Sequence, residues 1–195
     1  MTKNEVINEL QYYQMYIGEI ISCYYINEAL CDFADSYPES LRQYGIELRV
    51  ISRALVCKEH LLSAVLLCYD PKSKRLMKSI ERILCEKISD DMLSYSKITN
   101  KLHDAKKEIQ KCTDDISKLR EFRNKVYAHF DQKIFDDSWQ ISFKKENNFN
   151  FTKIKELCES IFNTFSEILE ILGSKPYDAS VIRLSDVERF IERLK

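Results

Sequence analysis

The chain has 195 residues, a formal net charge of −1 and 45% hydrophobic residues, with Gly 3 and Pro 3. It is long enough for one domain with a full core, too poor in turn residues for a many-stranded sheet, and too nearly neutral for a global field that gathers nucleic acid or anionic membrane. These totals point to an all-α fold in a single domain over residues 1–195.

The first predicted helix covers about residues 3–34, with Val6, Leu10, Tyr13, Ile17, Ile20 or Ile21, Tyr24 and Leu30 recurring at helical spacing on its inner side. Tyr12, Tyr13, Tyr16, Tyr24 and Tyr25 form a dense group on it. Tyrosines there can sit at the core edge or a dimer interface, or stack on bases. Ser36-Tyr-Pro-Glu-Ser40 marks a turn, with Pro38 suited to the first turn of the next helix. That helix runs from about 39 to 69. Apolar residues cover most of its circumference near Leu61–Leu67, so this end is expected to be surrounded by neighbours. Asp70-Pro71 stops it, because proline disfavours helical backbone in the residue before it.

A shorter helix is predicted over about 73–88, and Ser89 is placed to cap the one that follows. From Tyr95 a regular seam runs through Ile98, Leu102, Ala105, Ile109, Cys112, Ile116 and Leu119, then Arg123, Val126 and Phe130. Thr113-Asp-Asp can mark a break capped by Thr113, but the unbroken seam argues for near-continuity. From Asp131 to Phe151 the helical period fails, and Trp139, Ile141 and Phe143 alternate. A small hairpin or an ordered loop fits this stretch. Thr152 starts a helix through Ile154, Leu157, Ile161, Phe165 and Ile168, which Gly173 ends. A short last helix, about Asp186 to Leu194, is capped by Ser185.

Seven cysteines are scattered without a C-x-x-C pair. Cys23, Cys57, Cys68, Cys85, Cys112 and Cys158 have apolar neighbours at helical spacing, the pattern of small buried hydrophobes in a reducing compartment. Three histidines far apart give a zinc site nothing to be built from, and no cofactor is expected. The opening Met1-Thr-Lys-Asn-Glu5 is no signal peptide. Met15 to Phe33, the most apolar stretch, holds Glu19, Asn27 and Glu28, which suits a buried helix and not a membrane span. The expected location is cytoplasmic.

Function is carried by Leu119-Arg-Glu-Phe-Arg-Asn-Lys-Val-Tyr-Ala-His-Phe-Asp131, where Arg123 takes a position that the seam reserves for a hydrophobe. The stretch is locally basic, with Lys118, Arg120, Arg123, Lys125 and Lys133 against Glu121 and Asp131. Residues 1–50 are acidic by contrast, with three basic groups against eight acidic ones. An arginine and a histidine suffice for metal-free RNA cleavage. Histidine titrates near neutrality and moves protons at the ribose 2′-hydroxyl or the leaving oxygen. Arginine holds the phosphate bidentately and stabilises its developing charge. Asn124 can orient either group. A structural alternative pairs Arg123 with an acidic residue of the first helix and leaves His129 to the helix dipole. Arg53 and His60 show how common such a spacing is, since they occur on a helix that reads as plain core.

The run Arg-Asn-Lys-Val-Tyr-Ala-His-Phe-Asp at the end of a long helix resembles the signature of the HEPN superfamily, most nearly its abortive-infection AbiU-type branch. Leu67-Cys-Tyr-Asp-Pro71 and the later order of loop, helix closing in Leu-Gly and short terminal helix are also similar to that branch. The resemblance implies a HEPN-like bundle of long antiparallel helices, with a small loop or hairpin insertion around 131–151. It further implies a homodimer whose two Arg/His pairs form one composite endoribonuclease site in a toxin or phage-defence role. Such enzymes need no metal and leave a 2′,3′-cyclic phosphate. On this resemblance Arg123 binds phosphate, His129 transfers the proton and Asn124 supports them; Lys118, Lys125 and Lys133 of the basic stretch are the candidates for guiding RNA. The implied partners are RNA, a second copy, and an antitoxin or nucleotidyltransferase. In some toxin members a tyrosine two positions after the histidine is modified by that transferase; here the position is Asp131. The alternative is a non-catalytic HEPN module that binds nucleotide, RNA or a partner protein. Six residues along a helix are about 9 Å and roughly 120° around the axis, so one Arg/His pair converges poorly on a phosphodiester and a two-fold partner helps.

Overall fold

A computed structural model describes residues 1–68, 76–124 and 151–178 together with Arg189, Glu192 and Arg193, and their side chains except at 38 and 40–44. These residues form six long helices: α1 (Lys3–Ser36), α2 (Pro38–Leu67), α3 (Leu76–Glu86), α4 (Met92–Lys111), α5 (Thr113–Arg123) and α6 (Phe151–Ile171). The protein is an all-α bundle.

Local chemistry fixes the helix ends. Thr2 and Glu5 form a reciprocal capping box at the start of α1, which satisfies two backbone N–H groups that have no partner within the helix. The same bond to Thr2 lowers the pKa of the Glu5 carboxyl. Pro38 stands in the first turn of α2, as its fixed φ allows. The cap of α4 is Asp91, not Ser89: Asp91 Oδ1 accepts from the Ser94 N–H at 3.0 Å, while Ser89 donates its hydroxyl to the Met1 carbonyl. The seam helix is interrupted at one residue. Cys112 (φ −92°, ψ 13°) separates α4 from α5, and Thr113 spends its hydroxyl on the Gln110 carbonyl instead of capping α5. Phe151, expected in the insertion, already belongs to α6. The rest of that insertion, 131–150, lies outside the described residues, as does nearly all of the last short helix. There the Arg193 N–H donates to the Arg189 carbonyl at 3.3 Å, an α-helical spacing.

Partners across the bundle show antiparallel neighbours. Along α1 and α2, Asn27 accepts from Ser52 and Glu19 pairs with Lys58. Along α1 and α6, Gln14 meets Ser166 and Tyr25 donates to Glu159. One cluster of buried residues holds α1, α2 and α3–α6 together through Leu10, Ile17, Ile80, Leu102, Leu119 and Phe165, while Leu30, Phe33 and Leu48 close the far end of the α1–α2 hairpin. The predicted seam is buried at Tyr95, Ile98, Leu102, Ala105, Ile109, Ile116 and Leu119.

Polar residues enter this core in one well-built place. Gln14 is fully buried; its Nε2 donates to Ser166 Oγ at 2.6 Å and its Oε1 accepts from the Tyr177 N–H at 2.5 Å. It therefore ties the chain after α6 back to α1. A Cβ added at Gly18 would come within 3.3 Å of the Tyr177 ring, which explains glycine inside a helix at this point.

Two readings need correction. Leu61 and Val65 are exposed and not surrounded, because the neighbouring helices cover α2 from one side. Of the six cysteines expected in the core, Cys85 is exposed and Cys57 and Cys112 are half-buried, whereas Cys23, Cys68 and Cys158 are buried; Cys31, outside that set, is exposed. Burial pushes the Cys158 thiol up to about 12, so it behaves as a small hydrophobe. The tyrosines divide: Tyr13 is buried and Tyr12 exposed, the latter beside Tyr16 at 4.8 Å, while Tyr24 and Tyr25 lie against Lys155 of α6. Among the described residues no helix is long and apolar enough to cross a membrane.

Candidate functional site

The C-terminal end of α5 presents Arg123. Its position on the helix follows from the packing of the turns before it. Ile116, Leu119 and Phe122 are buried, so beyond Leu119 the seam advances by three residues to Phe122, not by four to Arg123. Phe122 is fully buried, and Arg123 beside it is half-buried. The hydrophobe's place is thus filled by Phe122, and Arg123 lies along the edge of the inner face.

Beneath Phe122 lies His60 of α2, which is 3% exposed. Its ring meets Phe122 edge-on at 5.1 Å and 84°, and meets Phe151 at the start of α6 at 4.5 Å. The histidine of the common-spacing pair is therefore part of the floor on which α5 ends, while Arg53 of that pair is exposed. Glu59, next to His60, is also buried. The sequence singled out His60 only as a misleading match; the signal it lacked was the pairing of α2 with α5.

Asn124 keeps right-handed helical backbone (φ −65°, ψ −41°), and its N–H donates to the Arg120 and Glu121 carbonyls. Its side-chain Oδ1 accepts from both Nε and Nη2 of Arg123, at 3.1 and 2.7 Å. One carbonyl oxygen thus holds the inner edge of the guanidinium and fixes its plane. The outer edge, formed by the two terminal nitrogens, is the fork that matches two oxygens of a phosphate or carboxylate. Among the described residues no carboxylate of α1 pairs with Arg123, so the expected structural alternative of a helix-register ion pair has no counterpart there.

Lys118, also on α5, is half-buried. Five residues correspond to roughly 140° around a helix and about 7.5 Å along it, so Lys118 and Arg123 do not share a face. His129, Lys125 and Lys133 lie outside the described residues. Among the described residues no group of His, Cys, Asp and Glu could hold a metal ion.

No protein-family model, no curated protein and no solved structure matches the chain. At Arg123 the chain presents an oriented guanidinium on a packed helix end, six positions before the next histidine in sequence.

Proposed function

We propose that the protein is a metal-independent endoribonuclease of HEPN type with a toxin or phage-defence role, in which Arg123 and His129 of two copies make a composite site. The observation that carries this reading is the guanidinium of Arg123, oriented through its inner edge by Asn124 at the end of α5, six positions before His129 in sequence. Orientation matters because a preset fork loses little freedom on meeting phosphate.

In this mechanism a histidine removes the proton from a ribose 2′-hydroxyl, and the 2′-oxygen attacks the adjacent phosphorus. The bond from phosphorus to the 5′-oxygen breaks, that oxygen is protonated, and a 2′,3′-cyclic phosphate remains. Arg123 binds the non-bridging oxygens and stabilises the charge that builds on them. Asn124 positions Arg123. Lys118, Lys125 and Lys133 attract the RNA backbone, and the partner set is RNA, a second copy, and an antitoxin or nucleotidyltransferase. The reading is cytoplasmic.

The test compares Arg123→Ala, Arg123→Lys and Asn124→Ala in a cleavage assay on a mixed RNA pool. Both Arg123 variants should lose about 100-fold or more in rate, with lysine rescuing little because it lacks the planar fork. Asn124→Ala should lose less, about 10-fold. Wild-type rates in the Arg123 variants would sink the assignment. A folded wild-type protein that binds RNA without cutting it would instead favour the non-catalytic HEPN module.

A further inference from the structure

Helix α2 carries an apolar stripe on the side opposite its packed face. One side packs inward through Leu48, Glu59 and Ser63. On the other lie Ile46, Val50, Ala54, Cys57, Leu61 and Val65, spaced by four, four, three, four and four residues. Ile46 is 80% exposed, Val50 62%, Leu61 37% and Val65 56%; Ala54 is exposed and Cys57 half-buried. At 100° per residue the six fall in one sector about 100° wide, in a stripe about 28 Å long. A helix with only one partnered face normally carries charge on the other. The six stripe residues carry none; within their sector and span the one charged residue is the exposed Glu47 at the edge, and Ala64 is buried.

The stripe exposes on the order of 400–500 Å² of apolar side chain, near the upper end of what a monomer leaves bare. Each partner of a stable pair buries ~800 Å², so the stripe supplies more than half of one such surface, and its polar flanks supply a rim. Its order also indicates what covers it. About its midpoint the stripe is palindromic: Ile46 mirrors Val65, Val50 mirrors Leu61 and Ala54 mirrors Cys57. A two-fold axis at that point lays the stripe antiparallel on itself, with bulky residue against bulky residue at the ends. The two small residues meet at the crossing, where helix axes come closest. An isologous contact demands this self-complementarity; a foreign helix does not.

We infer that α2 is a homodimer interface, in which two copies cross antiparallel through Ile46, Val50, Ala54, Cys57, Leu61 and Val65. In one respect this rests on the proposed function. His60 lies roughly 90° around α2 from the centre of the stripe, and Phe122 sits on His60, so α5 ends along one flank of the interface. A two-fold axis perpendicular to both α2 helices keeps that flank on the same side in both copies. The two Arg123 residues then face one shared rim, which is what a composite site requires.

The test is sedimentation equilibrium of the full chain without RNA, for wild type, Val50→Glu and Leu61→Glu. Both residues are exposed, so the variants should keep wild-type circular dichroism and a cooperative melt, with a midpoint lowered only by the lost association. Wild type should be a dimer, and each variant should raise the dissociation constant ~100-fold or more by setting like charges into a symmetric apolar contact. A short bismaleimide should also join two wild-type copies, and Cys57→Ser should abolish that product while Cys31 and Cys85 remain. A monomeric wild type overturns the inference. Folded variants that stay dimeric also overturn it, yet leave the composite ribonuclease standing on another interface. Loss of RNA cleavage in Arg123→Ala with the dimer intact bears on the ribonuclease alone.

Discussion

The phase of α5 at its last turn separates a structural arginine from a functional one, and truncation of two adjacent residues measures it. Phe122 is fully buried and edge-on to His60 at 5.1 Å. Phe122→Ala removes a buried aromatic ring, which costs about 3–5 kcal/mol in transfer and cavity energy, of which the aromatic contact is ~1 kcal/mol. Arg123 is half-buried, and its hydrogen bonds go to the adjacent Asn124. Arg123→Ala loses a local bond between groups that water can serve instead, and should cost under ~1 kcal/mol. For a chain of this size 1 kcal/mol moves the midpoint by roughly 2–4 °C. Thermal melts followed by circular dichroism should therefore show a fall of about 10 °C for Phe122→Ala and at most about 3 °C for Arg123→Ala. Urea titrations should give the same order with unchanged slopes. Equal destabilisation by the two substitutions would refute the reasoning: Arg123 would then be a packing element and its role in phosphate binding would lose its support.

Other expectations follow from the polar contacts of the bundle. Gln14→Ala leaves the Tyr177 N–H and the Ser166 hydroxyl without their shared partner. It should cost about 1–3 kcal/mol in urea unfolding, and protease cleavage after α6 should quicken; wild-type stability would show that Gln14 does not tie that segment down. The bonds from Ser94, with Lys3 beside it, hold the Asp91 carboxyl at about 2, below its ordinary 3.8. A lowered acid pKa means that the stabilisation is complete above about pH 4 and is lost as pH falls towards 2. The stability gap between wild type and Asp91→Asn should accordingly shrink as pH falls from 5 to 2.5, and a gap that stays constant over that range would exclude the carboxylate as its source.

The fold was legible where one physical rule had no competitor. Scarce Gly and Pro and a long three-four spacing gave the all-α class and the buried positions from Tyr95 to Leu119. Where two rules competed, the choice needed tertiary contacts. Steps of three and four both satisfy a helix, so only the His60 ring beneath α5 selects Phe122 over Arg123 as the inward residue. Ser89 and Asp91 are both good caps, and Ser89 is drawn to the Met1 carbonyl, leaving Asp91 to α4. Near Leu61–Leu67 an apolar circumference reads as full burial, but part of it is the exposed stripe of α2. Cys85 has apolar neighbours in sequence, yet it faces solvent. Gln14 carried the least signal, since a glutamine on an apolar face declares no partner until α6 is brought beside it. Of the candidate site, Arg123 and Asn124 are placed together; the part of the motif from Lys125 to Lys133 is known from sequence alone.

The central claim is tested most directly by incubating the purified protein with a mixed RNA pool in excess EDTA, beside His129→Ala, and determining the ends of the products. The wild type should cleave the RNA and leave 2′,3′-cyclic phosphate termini, and the folded variant should do neither. Cleavage that persists in His129→Ala, or that EDTA abolishes, would contradict the claim.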